Sequence, residues 1–158
     1  MSGSTQIKAD IVGYTSEYAS VVRYWINSEE TYYHLTRSKE YPPSDDIVDS
    51  WQRQDVSSYL LFSENKPVAY GELWRRSQEM AMEIVHLLVD PSKRLRGYGT
   101  KMLQLLYDRA AARPGVSQVI INLYTGSEEA LGCYLKAGFE IVGTSPHTMG
   151  LRMIRIVN

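Results

Sequence analysis

Val89-Asp90-Pro91-Ser92-Lys93-Arg94-Leu95-Arg96-Gly97-Tyr98-Gly99 is the stretch on which the fold turns. It follows an apolar strand pattern, Ala81 to Val89, and opens an amphipathic helix. In that helix Met102, Leu103, Leu106, Tyr107 and Ala110 keep the helical period. Two glycines and the cations Lys93, Arg94 and Arg96 therefore stand at a strand-to-helix turn. Unpaired backbone N–H groups at a helix start point outward, so such a turn holds an anion, and a pyrophosphate is its natural guest. The dinucleotide fingerprint needs a third glycine where this chain has Met102. The triphosphate loop needs Gly-Lys-Ser/Thr closing a longer glycine-rich stretch, which is absent. A residue as small as Gly97 lets backbone approach a phosphate closely. Paired glycines near a helix start are also a common turn solution, so the stretch carries function only in context.

Outward from it, Ser57 to Phe62 and Val68 to Trp74 read as strands joined by the turn Glu64-Asn65-Lys66-Pro67, an antiparallel hairpin. Arg75 to Glu79 turns the chain into Ala81 to Val89. The Leu87-Leu88-Val89 end of that strand lacks alternation and is expected to be buried on both faces. The helix runs from Gly99 or Thr100 to Ala112, stops at Arg113-Pro114-Gly115 and leads into the strand Gln118 to Tyr124. This β-α-β unit implies a right-handed crossover and a locally parallel pair. Ser127 caps a short helix with Glu128 and Glu129 in its first turn, and Gly138 stops it. Phe139 to Thr144 and Leu151 to Val157 are terminal strands, joined by a loop that holds His147.

On the N-terminal side Ile7 to Val12 reads as a strand, and Thr15 or Ser16 as the cap of a helix to Ile26. Ser28 caps a second helix toward Thr36, stopped by Tyr41-Pro42-Pro43-Ser44, and Asp45 to Trp51 supplies another turn or two. The expected class is α/β: a mixed central sheet, mostly antiparallel with a parallel pair, flanked by helices. A chain of 158 residues supports one core, and no repeat or linker divides it, so one domain over residues 1–158 is expected.

Charge and composition narrow the function. The formal net charge is −1, from 17 basic and 18 acidic side chains, which leaves no footprint for nucleic acid. No apolar run approaches the roughly 18 residues of a membrane span. The small polar residues from Met1 to Gln6 show no secretory signal, and a cytoplasmic protein is expected. The lone Cys133 excludes an internal disulfide and a cysteine zinc cluster. His34, His86 and His147 lack a compact ligand spacing, so no metal is expected.

Arg94-Leu95-Arg96-Gly97-Tyr98-Gly99 resembles the acyl-coenzyme A signature of the GNAT N-acetyltransferases, Arg/Gln-x-x-Gly-x-Gly/Ala. Ala130-Leu131-Gly132-Cys133-Tyr134-Leu135-Lys136-Ala137-Gly138-Phe139 resembles that superfamily's Ala-x-x-x-Tyr-x-x-x-Gly-Phe pattern. The two segments stand in the family's order, and the element order agrees across nearly the whole chain. The resemblance implies acetyl-coenzyme A as co-substrate and splaying of the strands that end near Val89 and Tyr124. Leu87, Leu88 and Val89 would offer backbone groups to the pantetheine arm. An N–H near Leu87 or Leu88 would polarise the thioester carbonyl. Arg94, Leu95, Arg96, Gly97, Tyr98, Gly99 and Thr100 would meet the pyrophosphate. Ser127 stands where many relatives hold the coenzyme with asparagine, a departure that predicts weaker binding.

The chemistry needs two proton events. An alkyl ammonium, with a pKa near ~10, must lose a proton before it attacks, and the departing thiolate needs one back. Tyr134 matches the family's tyrosine and is the expected acid. Glu83 in Glu83-Ile84-Val85-His86 resembles the base of the histone acetyltransferase branch, and His86 is its rival as a proton relay. Asn122 stands where some relatives carry a base. It takes no proton but can hydrogen-bond an acceptor or a water.

Acceptor specificity is expected after the first helix, where Trp25, Glu29, Glu30, Tyr32, Tyr33, Tyr41, Asp45 and Asp46 lie. Acids and aromatic rings together suit a cationic amine, and the same acids also suit plain helix starts. A small-molecule amine is favoured over a protein lysine or N-terminus, with the His147 loop as an opposite wall. A homodimer is expected only by family analogy. The alternatives are an acyl-coenzyme A sensor without catalysis, which needs neither Glu83 nor Tyr134, and a non-binding interaction protein.

Overall fold

The computed structural model describes residues 7–124, 127–145 and 150–158; the expected wall at His147 lies outside them. The strands are β1 (Asp10–Gly13), β2 (Val56–Ser63), β3 (Lys66–Arg76), β4 (Ala81–Val89), β5 (Gln118–Leu123), β6 (Glu140–Thr144) and β7 (Leu151–Ile156). The helices are α1 (Ala19–Trp25), α2 (Glu29–Thr36), α3 (Ile47–Ser50), α4 (Tyr98–Ala111) and α5 (Glu128–Lys136). The seven strands form one sheet in the order β1-β2-β3-β4-β5-β7-β6. Every neighbouring pair is antiparallel except β4 and β5, which are parallel across the α4 crossover. This is the mixed sheet that the hairpin turn and the β-α-β pattern predict.

One face carries the larger core, in which Met102, Leu103, Leu106 and Ala110 of α4 meet Leu73, Met82, Ile84 and Ile121 of the sheet. Gly71 is the point of closest approach: a Cβ there would lie 2.8 Å from Leu106 Cδ1. Side chains alternate along a strand, so Tyr70, Glu72, Trp74 and Arg76 share the opposite face of β3. There Trp25, Tyr32, Trp51, Tyr70 and Leu88 form a second core under α1, α2 and α3.

The feature that opens a site is the short β4–β5 pairing, confined to residues 81–84 and 118–121. Past Ile84 the register of β4 against β3 shifts: Glu72 faces Val85 but Tyr70 faces Leu88, and His86 takes φ +53° within the bulge. A bulge bends its strand, and β4 leaves β5 behind while β5 stays paired with β7 to Leu123. The Leu87-Leu88-Val89 end is therefore not buried on both faces: Leu88 is core, whereas Leu87 and Val89 are half-buried beside the gap. Apolar groove walls and buried strands read alike in sequence.

Smaller corrections have local causes. β1 begins at Asp10 rather than Ile7. Ser16–Tyr18 forms a 3-10 turn before α1, and Thr15 makes no side-chain cap; its hydroxyl donates to Glu17 instead, at 3.3 Å. Ser28 does cap α2, accepting from Thr31 N–H at 3.1 Å. α4 starts at Tyr98, with Gly97 at its N-cap in the left-handed region. Among the described residues no helix is long and apolar enough to cross a membrane.

Candidate active site

Between the diverging strands lies a cleft of about 830 Å³, lined by the end of β4, the 93–100 turn, the end of β5, α5 and one face of α2. The end of the cleft at the 93–100 turn is built first by Asp90. The Asp90 carboxylate accepts the Ser92 N–H and hydroxyl, both at 2.9 Å, and its own N–H donates to Val68 O at 2.9 Å. The turn is thus pinned to β3. Leu95 at φ +62° and Gly97 at φ +87° then curl the backbone into α4. Lys101 N–H makes the first helical bond, to Gly97 O at 3.0 Å, so the amides of Tyr98, Gly99 and Thr100 precede the ladder.

Lys93, Arg94, Leu95, Gly97, Tyr98, Gly99 and Thr100 all line the cleft. Arg96, expected among them, is exposed and is not part of the lining. The Tyr98 hydroxyl is engaged with Ser63 at 3.2 Å. Gly99 packs against α5, where a Cβ would stand 3.3 Å from Cys133 Sγ, and Thr100 Oγ1 lies 3.2 Å from the same sulfur. Burial, partly offset by the Thr100 bond, pushes the Cys133 thiol up, so it is a filler of the α4–α5 contact and not a nucleophile. A helix start rich in free amides, flanked by Lys93 and Arg94 and followed by a β4 edge that β5 leaves unpaired, fits an elongated anionic ligand.

α5 carries Tyr134 to the cleft wall, and Ser127 Oγ caps that helix by accepting from Ala130 N–H at 3.3 Å. Burial holds the Tyr134 phenol well above its ordinary value, and charge on Cys133 and Tyr124 acts the same way. It stays protonated through neutral pH and is a donor. Tyr124, at the end of β5, is also raised: burial dominates, Arg37 lowers it and Glu83 raises it.

At the opposite end Glu83 reaches the cleft, but its carboxylate is occupied. Arg76 Nε and Nη2 approach Oε1 at 2.8 and 2.6 Å, and Asn122 Nδ2 donates to Oε2 at 3.0 Å. His86 also lines the cleft, with Nδ1 3.0 Å from Glu72 Oε1. From α2 come Glu30, Thr31, His34 and Leu35, the i, i+1, i+4, i+5 positions of one helix face. The Arg37 guanidinium, just past α2, lies 3.6 Å over the Tyr124 ring and 4.9 Å over Tyr33, joining α2 to β5.

The expected acceptor residues therefore divide. His86 and Asn122 are in the cleft. Trp25 and Tyr32, 3% and 6% exposed, are core residues of the second cluster. Glu29 and Tyr33 lie on other faces of α2 and do not line the cleft; Glu30 does. Glu72, Arg76, Tyr124 and His34 were not foreseen as site residues from sequence, whereas Lys93 was one of the cations of the turn. The signal for Glu72 was there: one carboxylate inside the apolar strand run Val68 to Trp74.

Residues 21–139 match the acetyltransferase (GNAT) family, and the chain belongs to that family. No curated protein matched by sequence. Among solved structures, the chain is similar to the aminoglycoside acetyltransferase AAC(6')-Ib in complex with coenzyme A (TM-score 0.78, 19% identity, 94% of this chain and 95% of that one). It is similar to spermidine N-acetyltransferase from Vibrio cholerae in complex with coenzyme A and spermine (TM-score 0.78, 10% identity, 94% and 95% covered). It is also similar to the ribosomal-protein-S18-alanine N-acetyltransferase from Escherichia coli (TM-score 0.65, 17% identity, 96% and 95% covered). At these identities the likeness establishes the fold.

Proposed function

We propose that this protein transfers the acetyl group of acetyl-coenzyme A directly to a primary amine, with a small-molecule amine as acceptor. The observation that carries the reading is one cleft joining the amide-rich 93–100 turn at one end to the protonated Tyr134 and an acid-lined acceptor end. The co-substrate supplies an activated thioester. Lys93, Arg94 and the amides of Tyr98, Gly99 and Thr100 hold its diphosphate. Backbone groups of Leu87, Leu88 and Val89 hold its arm, and an N–H of Leu87 or Leu88 polarises the carbonyl. Tyr134 gives a proton to the departing thiolate. Holding both reactants in one cleft supplies much of the rate, so no acyl-enzyme is required.

Glu83 serves in this reading as a fixed negative charge for the ammonium and not as its base. Two Arg76 nitrogens and Asn122 already engage its oxygens. Glu30 adds a second negative charge for the cation.

An unbiased panel of amines with acetyl-coenzyme A, followed by free-thiol release, tests the assignment. Turnover of a small polyamine or amino sugar supports it. Tight coenzyme A binding by calorimetry without turnover of any amine would replace it with the sensor reading. Turnover confined to peptides would move the acceptor to a protein.

A further inference from the structure

We propose that His86 takes the proton from the acceptor amine, and that Glu72 is the positioning residue that fixes its tautomer; this rests on the amine-acetylation reading above. Glu72 is 0% exposed, a carboxylate enclosed by protein. A buried charge persists only where donors surround it, and three reach this one. Tyr70 Oη donates to Oε2 at 2.5 Å, Trp74 Nε1 donates to Oε1 at 2.7 Å, and His86 Nδ1 meets Oε1 at 3.0 Å. The direction of the Tyr70 bond is forced. Gln52 Nε2 donates to Tyr70 Oη at 2.9 Å, so the phenolic hydrogen is left for Glu72. Burial and the Glu72 charge both hold that phenol protonated.

An ionised Glu72 only accepts, so the imidazole must carry hydrogen on Nδ1. In the neutral ring that leaves the lone pair on Nε2. The ring lies 4.0 Å from Trp51 with 20° between planes, and Trp74 meets its edge at 5.9 Å, so it cannot swing. Among the described residues the buried polar side-chain atoms without partners are Ser58 Oγ, Asn122 Oδ1 and Arg152 Nε. His86 Nε2, which has no protein partner there, is therefore open to solvent, and the residue lines the cleft. The arrangement is an orienting carboxylate, an imidazole in one tautomer and a free basic nitrogen on the acceptor side. It is made by the same bulge that splays β4 from β5. Other charged groups near the ring are Glu83 with Arg76 on the same sheet face, and Glu30 and His34 of α2 across the cleft. Asp49 of α3 is turned away to Tyr14, which donates to it at 2.9 Å.

The protons balance. The acceptor nitrogen sheds one to His86 Nε2, and the imidazolium, opposite the Glu72 carboxylate, releases it to solvent. The nitrogen then forms the C–N bond as the C–S bond breaks. Its second proton replaces the one Tyr134 gives to the thiolate. Net, one proton leaves per acetyl group transferred.

Two measurements decide the proposal. The first needs no turnover: long-range proton–nitrogen correlation of the His86 ring in labelled protein near about pH 8, assigned by its loss in His86→Gln. We expect a neutral ring with hydrogen on Nδ1, and in Glu72→Leu, which removes the oxygen that accepts from Nδ1, a shift toward hydrogen on Nε2. A wild-type ring with hydrogen on Nε2, or one still doubly protonated, overturns the proposal. The second is acetyl transfer to spermine and to kanamycin. His86→Gln should lower kcat roughly 10²-fold with coenzyme A affinity unchanged, and should move the rising limb of the pH profile to that of the free amine. Glu72→Gln should lower kcat in the same way while leaving KM within a few-fold. Wild-type kcat in His86→Gln overturns the proposal and leaves the acetyltransferase reading standing. Failure of the wild type to acetylate any amine overturns that reading instead, and the tautomer still decides the pair.

Discussion

At the scale of single residues, what a side chain does depends on who already occupies it. Tyr134 and Glu83 both stand in the cleft, but one phenol is free to donate and one carboxylate is tied. Tyr134→Phe removes only the hydroxyl. It should lower kcat by roughly 10²-fold while calorimetric coenzyme A affinity stays within a few-fold; unchanged kcat would remove Tyr134 as the acid. Because burial raises the phenol, its ionisation should not cut activity below about pH 10, the ordinary tyrosine value. Glu83→Gln keeps the shape and deletes the charge. If Glu83 anchors the ammonium, the amine KM should rise several-fold and the ascending pH limb should stay in place. A shifted limb with unchanged KM would restore it as the base.

Elements place these residues. α4 begins where Gly97 takes φ +87°, a conformation that costs a residue with a Cβ about 1–2 kcal/mol. A Cβ there would also lie 2.7 Å from Ile7 Cδ1, the movable end of a side chain, so the backbone angle is the larger obstacle. Gly97→Ala should therefore relax the turn, lower Tm and weaken coenzyme A binding about 10-fold, equivalent to ~1.4 kcal/mol. Titration calorimetry checks this, and wild-type affinity would show that the turn does not hold the diphosphate. α2 offers a second lesson at this scale. Its acids and tyrosines are evident in sequence, but which of them reach the cleft depends on how the helix packs: Glu30 and His34 line the cleft, and Tyr32 lies in the core.

Across the whole molecule, tyrosine links stability to pH. Tyr14, Tyr70, Tyr124 and Tyr134 all have raised phenols in the folded state, with burial first among the causes. Below about pH 10 both folded and unfolded chains keep those protons, and the stabilisation is fully present. Above it the unfolded chain ionises first, so stability should fall as pH rises toward the folded-state values. Calorimetric Tm should decline above about pH 10, and more gently in Tyr14→Phe, which removes one of these groups. A slope identical in the variant would argue against the linkage.

The sequence by itself determined the glycine-rich strand-to-helix turn, the order of strands and helices, the parallel pair and the family. Each of these is written in contiguous residues: a period, a cap, a glycine with positive φ, a Tyr-x-x-x-Gly-Phe run. Only the tertiary structure decided which side chains meet in the cleft and how each is paired. Arg76 meets Glu83 and Glu72 meets His86 across the β3–β4 ladder, and the latter pair is 14 residues apart. Those meetings depend on strand register and on one bulge, which turns His86 onto the face that holds Glu72. A slip of one residue sends every side chain to the other face of the sheet. Long-range pairing of that kind leaves almost no trace in local pattern, although it sets which carboxylate is tied to an arginine and which meets the histidine.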